Sequence, residues 1–268
     1  MSRNLHVELH CHSHHSYDGH LQFEQLMELA KRRRLDAVAI TDHDSIEGGL
    51  EFRRCVRKGR NTELFVILGE ERTLSNGTHV IGLFLQHAIQ ASTLDMAIDE
   101  ILSQGGVCVI PHPYRARTGV LAAGANQFPA GGVCFEVFNP TCSFDENRSA
   151  RELASLGWTA VGGSDAHYQS QLGECVNEIQ FHGSIEQSLR EALLGISPIK
   201  VLGVRQGARA AGRSMIPSIY RRIQPHFDVP SQLKPSAGRM LRVLRDQFAK
   251  HKKLQLEMKW DPSQFVRV

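Results

Sequence analysis

Short apolar runs in this chain keep ending in histidines and acids. One closes in Leu9-His10-Cys11-His12 and the next in Ile40-Thr41-Asp42-His43-Asp44. Leu68-Gly69-Glu70-Glu71, Gly77-Thr78-His79, Ile110-Pro111-His112-Pro113 and Gly163-Ser164-Asp165-Ala166-His167 follow the same plan. Runs this short read as buried strands. They predict strands at 5–9, 37–40, 65–68, 80–85, 107–110, 133–137 and 160–161, with a hairpin turn at Ser75-Asn76-Gly77 before the fourth. Helices alternate with them. Phe23, Leu26, Met27, Leu29 and Ala30 form a helical stripe in 23–34. Further helices are predicted at 45–58 with Ser45 as cap, 93–103 before Gly105-Gly106, 146–156, and 185–194 before Gly195.

Repeating β–α units favour a mostly parallel sheet. An open sheet offers one main crevice, whereas the strand ends of a barrel ring one mouth. Polar tips on many different strands therefore favour an α/β, TIM-like barrel with an irregular strand number. Neutral imidazoles and carboxylates are ligands for borderline-hard divalent metals. Tips converging on one polynuclear site would make the protein a metal-dependent hydrolase. His10 and His12, two apart on a strand, point to one face while Cys11 points to the other. Asp165 and His167 have the same relation.

Composition narrows the setting. The hydrophobic content of 41% is ordinary for a globular protein. No run of ~18 apolar residues predicts a membrane-spanning helix. Met1-Ser2-Arg3-Asn4 leads into a strand without an apolar signal core, so a cytoplasmic location is expected. The six cysteines form no CxxC pair, which argues against structural zinc and a disulfide framework. Residues 201–268 hold fourteen Lys or Arg against four acids, a net of +10, which leaves −7 for residues 1–200. The first 200 residues carry every candidate ligand and are expected to form the barrel. Residues 201–268 read as a basic, partly helical extension, with Leu241, Leu244 and Phe248 along one side of a helix at 237–250.

The ensemble resembles the PHP family, named for polymerase and histidinol phosphatase. The resemblance covers roughly residues 5–195. It rests on Glu8-Leu-His-Cys-His-Ser, Ser16-Tyr-Asp-Gly, Ile40-Thr-Asp-His-Asp, Gly69-Glu-Glu, Gly77-Thr-His, Ile110-Pro-His-Pro and Gly163-Ser-Asp-Ala-His. It implies a distorted (β/α)7 barrel holding two or three Mn, Fe or Zn ions. By resemblance, His10, His12, Glu71 and Asp165 bind a first metal. Glu71 bridges to a second held by His79 and His112, and Asp18, His43 and His167 bind a third. The family's Gly-x-Glu pattern selects Glu71 over Glu70. Asp18 lies one residue further from the HxH pair than in members with Ser-Asp-Gly. Glu136 and Asn139 resemble a stretch that orients ligands.

Three divalent ions with three carboxylates and a hydroxide leave a charge near +2, suited to a phosphate dianion. The expected activity is hydrolysis of a small phosphorylated molecule (a phosphomonoester, nucleoside bisphosphate or cyclic phosphate) by a metal-activated water. Arg115, three residues past His112, is the candidate to fork onto phosphate oxygens, and Arg117 is a weaker one. His14 and His15 are candidate acids for the leaving group. A nuclease that holds nucleic acid through the basic extension is the alternative enzyme. A non-catalytic, metal-stabilised module is the third reading. The pattern assigns no oligomeric state.

Overall fold

Strand β1 (Asn4–Cys11) has two partners along the same edge, and that division organises the molecule. The computed structural model describes residues 3–58, 64–123, 128–129, 131–204 and 265–267. The other strands are β2 (Ala37–Ile40), β3 (Phe65–Thr73), β4 (His79–Leu83), β5 (Val107–Ile110), β6 (Val133–Phe138), β7 (Thr159–Gly162), β8 (Cys175–Gln180), β9 (Ile199–Val204) and β10 (Phe265–Arg267). The first seven follow one another around a ring in chain order. Their pairings are parallel except for β3–β4 and β4–β5, which are antiparallel. The ring closes just beyond β7. His12 N donates to Ala166 O at 2.9 Å and Asp165 N to His10 O at 2.8 Å.

Below this closure the first half of β1 pairs antiparallel with β8, which leads on to β9 and β10. Two buried polar side chains fill the fork. Asn177 Nδ2 donates to Val7 O at 3.2 Å and Gly162 O at 2.7 Å, while its Oδ1 accepts from Gly162 N at 2.8 Å. It supplies the pairing that the diverging strands lack. Glu8 accepts from the backbone N–H groups of His10, Ser164 and Gly173. Burial raises the Glu8 carboxyl to about 7, against the pull of those hydrogen bonds.

All seven ring strands contribute to one apolar core, through residues such as Leu5, Val7, Ala39, Ile67, Ile81, Val109, Cys134 and Val161. Helix α5 (Ile185–Leu193) packs into the same core through Leu189, Ala192 and Leu193. A register shift between Glu8 and Cys11 places an extra residue in β1 opposite β2. Such a bulge re-aims side chains. Leu5, Val7 and Leu9 face the barrel core, yet Cys11 faces the outer layer, so His10 and His12 turn inward at the mouth. Helices α1 (Phe23–Arg32), α2 (Glu47–Lys58), α3 (Leu94–Ser103) and α4 (Phe144–Ser155) complete the elements around the ring, with a 3-10 turn at Val120–Ala123. Ser143 caps α4 with Glu146 in a reciprocal box. No helix among the described residues is long and apolar enough to cross a membrane.

The expected barrel is present, and the Ser75-Asn76-Gly77 turn does join an antiparallel pair. Strands β8 and β9 were not expected. Asn177 and Glu178 break the apolar pattern of β8, and β9 runs across position 200. The helix expected at 237–250 lies outside the described residues. Asn177→Ala is predicted to strand Gly162 N–H and two carbonyls at the seam. Urea unfolding should show a loss of about 2–4 kcal/mol; a loss below ~0.5 kcal/mol would mean the fork does not depend on this side chain.

Candidate metal centre

At the barrel mouth Glu71 sits inside a ring of five imidazoles. His10, His12, His43, His79 and His112 follow one another with centroid separations of 5.2, 4.6, 5.2 and 5.5 Å, and 6.0 Å closes the circle. His167 stacks on His12 at 4.2 Å. The Glu71 side chain is only 1% exposed. Burial opposes its ionisation, but His10, His43 and His79 hold it well below the usual carboxylate range.

Four of these groups meet with spacings that a metal explains. His10 Nε2, His12 Nε2 and Glu71 Oε2 are mutually 3.2 Å apart. Asp165 Oδ1 lies 3.5 Å from His10 Nε2 and 3.4 Å from His12 Nε2. Ligands tetrahedral about an ion at ~2.0–2.1 Å are about 3.3–3.4 Å apart, so these edges fit a shared cation. The other oxygen of Glu71 faces a different pair, His79 Nδ1 at 2.8 Å and His112 Nε2 at 3.0 Å. His43 Nδ1 stands 3.6 Å from Glu71 Oε2. Beyond it, Asp18 Oδ2 lies 3.2 Å from His167 Nε2 and 3.7 Å from His43 Nε2. Both Asp18 oxygens and His167 Nε2 are buried without a hydrogen bond. Buried polar atoms seldom lack a partner, and a divalent cation would satisfy them. Although burial disfavours its charge, His167, His43 and His12 pull the Asp18 carboxyl down to about 2.

The ring nitrogens turned away from the cluster are also held. His10 Nδ1 meets Glu136 Oε1 at 3.0 Å, His12 Nδ1 meets Ser16 Oγ at 3.2 Å, and His167 Nδ1 meets Asp165 O at 2.9 Å. Such outer contacts fix the tautomer and aim of a metal-binding imidazole. Glu136 also accepts from His112 N at 2.7 Å and Asn139 Nδ2 at 2.9 Å, tying three tips together. Asp42 accepts from Ser13 N at 2.6 Å and Ser13 Oγ at 2.7 Å, holding the loop after β1. His112 and Asp165 adopt φ of +32° and +50°, two of six non-glycine residues with positive φ among the described residues.

All nine residues named as metal ligands from the sequence come together at this mouth: His10, His12, Asp18, His43, Glu71, His79, His112, Asp165 and His167. Alternation along β3 sends Glu70 elsewhere, to accept from Ile89 N at 2.8 Å. Arg115 lies beside the cluster and donates to Asp165 Oδ2 at 2.8 Å and to Thr141 Oγ1. His14 and His15 have other partners. Both are exposed and pack on Phe23, and His15 Nε2 meets Glu51 Oε2 at 3.0 Å. The structure does not bring them among the converging ligand atoms. Ser16 stands in the Ser16-Tyr-Asp-Gly motif without a role assigned from the sequence, and Thr141 was not picked out; their place in the fold reveals their contacts.

The PHP domain model matches residues 8–115, and the PHP-associated model matches residues 144–195. Uncharacterized protein MJ1587 of Methanocaldococcus jannaschii is 33% identical over 144 residues, spanning 50% of this chain and 81% of that protein. The chain belongs to the PHP domain family. Among solved structures, a two-domain protein of Bacteroides vulgatus, described as containing a predicted PHP-like metal-dependent phosphoesterase, superposes with a TM-score of 0.61 at 20% identity. That match covers 75% of this chain, which spans 65% of the two-domain protein. The lesion-specific endonuclease EndoQ of Pyrococcus furiosus matches with a TM-score of 0.59 at 16% identity, over 76% of this chain and 60% of that one. At these identities the likeness is one of fold.

Metal binding to the native state alone should stabilise it. Chelator-treated protein given Mn²⁺ at about a hundred times its dissociation constant should gain ~2.7 kcal/mol, or roughly 5–10 °C in melting temperature. Glu71→Gln should remove most of that gain. An unchanged melting temperature in the wild type would exclude a metal at this cluster.

Proposed function

We propose that this chain is a metal-dependent phosphoesterase that hydrolyses a small phosphorylated molecule. The observation that carries the reading is Glu71, whose two oxygens face separate sets of imidazoles in one buried cluster. That arrangement supports a polynuclear centre of two or three Mn, Fe or Zn ions. His10, His12, Glu71 and Asp165 would hold one ion, Glu71 with His79 and His112 a second, and Asp18, His43 and His167 a third. Ions so held supply Lewis-acid stabilisation of phosphoryl oxygens and lower the pKa of a coordinated water towards ~7.

The chain's own groups do the rest. Glu136 holds His10 and the backbone of His112 in place, so two ligand tips move as one unit. Arg115 binds Asp165 and keeps its Oδ2 occupied, leaving Oδ1 for the cluster. Its guanidinium has further N–H donors for an incoming phosphate, in a fork suited to two oxygens. His14 and His15, which pack on Phe23, remain the candidate acids for the leaving group.

Phosphomonoesters, cyclic phosphates and nucleoside bisphosphates should be tried with metal-reconstituted protein. His43→Ala and His167→Ala are each expected to reduce turnover at least about a hundredfold while the circular dichroism spectrum is kept. Full activity in both variants would contradict the proposal. Arg115→Lys should chiefly raise KM, by about tenfold, because an ammonium loses the fork.

The basic segment favours a second reading, a nuclease. Residues 201–268 carry a net +10. A polymer held there would release counterions, giving cleavage of an oligonucleotide a steep negative dependence on salt. Equal, shallow salt dependence for an oligonucleotide and a mononucleotide would remove that reading.

A further inference from the structure

The guanidinium of Arg115 is gripped from the loop between β6 and α4, which supplies none of the nine ligands. Its Nη2 donates to Asp165 Oδ2 at 2.8 Å and also to Thr141 Oγ1. Thr141 Oγ1 stands 3.0 Å from Asp165 Oδ2 and 2.7 Å from Asn139 Oδ1. Cys142, next in the chain, is buried beside the same guanidinium. A hydroxyl has one proton and two lone pairs. The Asn139 amide is oriented by its Nδ2, which donates to Glu136 Oε2 at 2.9 Å, so its oxygen faces Thr141. Thr141 N donates to that oxygen too, at 2.9 Å. The hydroxyl proton goes to Asn139 or to Asp165, and in either case a lone pair remains for the arginine.

The loop is itself anchored. Asn139 N donates to Asn147 Oδ1, and Asn147 Nδ2 donates to Asn139 O, both at 2.9 Å. Asn139 and Asn147 are fully buried. The backbone of Arg115 is tied as well, since its N–H donates to His112 O at 2.9 Å and its carbonyl accepts from Gly119 N at 2.8 Å. Only the arginine side chain, 24% exposed, is left to be aimed. One nitrogen bonded to one oxygen can pivot about that contact, and a second acceptor on the same nitrogen stops the pivot. An arginine settled beforehand loses fewer rotamers when an anion arrives, so it binds more tightly.

We infer that Thr141 is a positioning residue for phosphate binding: its hydroxyl fixes the aim of the Arg115 guanidinium before the anion arrives. The inference rests on the phosphoesterase reading above, in which Arg115 binds phosphate, and adds the residue that prepares it. Thr141 acts through Arg115, so its effect disappears when the guanidinium is gone.

The test titrates inorganic phosphate calorimetrically into Mn²⁺-saturated wild type, Thr141→Val, Thr141→Ser, Arg115→Met and the Arg115→Met/Thr141→Val double variant. Mn²⁺ affinity and circular dichroism are measured on each. Valine keeps the shape of threonine and removes the hydroxyl. Thr141→Val should weaken phosphate binding about ten- to a hundredfold, the worth of a hydrogen bond to a charged group. Its Mn²⁺ affinity should fall by less than the ~10-fold expected when a residue that aims a metal ligand is lost, because Arg115 still covers Asp165 Oδ2. Thr141→Ser should restore phosphate binding. In the Arg115→Met background the same valine should cost no more than about twofold. An unchanged phosphate affinity in Thr141→Val, a loss that serine does not restore, an equal loss in both backgrounds, or a tenfold loss of Mn²⁺ affinity would each overturn the role of Thr141 and leave the phosphoesterase reading standing. Should the valine variant lose its native spectrum, Thr141→Ala is judged by the same criteria. Wild type that binds Mn²⁺ but no phosphate would instead defeat the phosphoesterase reading, and the role of Thr141 with it.

Discussion

A buried carboxylate surrounded by imidazoles is the interaction on which the mouth of this barrel depends. Glu71 has almost no contact with water, and five histidine rings encircle it. An isolated buried anion is costly, and imidazoles offset that cost only by sharing protons or cations with it. Each ring comes from a different strand tip or from the β1 pair, so the strands must end at one level. The β1 bulge, the Asn177 fork and the Glu136 tie are the means by which they do so.

This division of labour separates stability from chemistry. The ring strands and α5 share an apolar core below the mouth, where volume and shape decide the outcome. Above it almost every side chain is polar, buried and aimed by a neighbour. Glu8 sits between the two zones, joining the closing segment to β1 through three backbone N–H groups. The positive φ values of His112 and Asp165 fall in the polar zone.

Much of this was legible in the sequence because the relevant signals are local. Apolar runs of strand length and their polar tips mark the ring strands directly. The choice of Glu71 over Glu70 followed a short motif, and alternation on β3 sends the two side chains to opposite faces. What stayed hidden depends on distant partners. Asn177 reads as a polar break in a strand until Gly162 and Val7 are placed beside it. Thr141 carries no signal apart from its contacts with Arg115 and Asp165. His14 and His15 lie close to His12 in sequence, yet their rings pack away from the ligand atoms. The backbone turns at Ser13–Ser16, and Phe23 takes both rings.

The central claim is that Glu71 joins more than one cation. Anomalous diffraction from Mn²⁺-loaded crystals, collected at the manganese edge, measures this directly. At least two peaks should flank the carboxylate, one within ~2.0–2.3 Å of each oxygen. The first should lie among His10, His12 and Asp165 and the second beside His79 and His112. A single peak away from Glu71, or none at the mouth, would contradict the account.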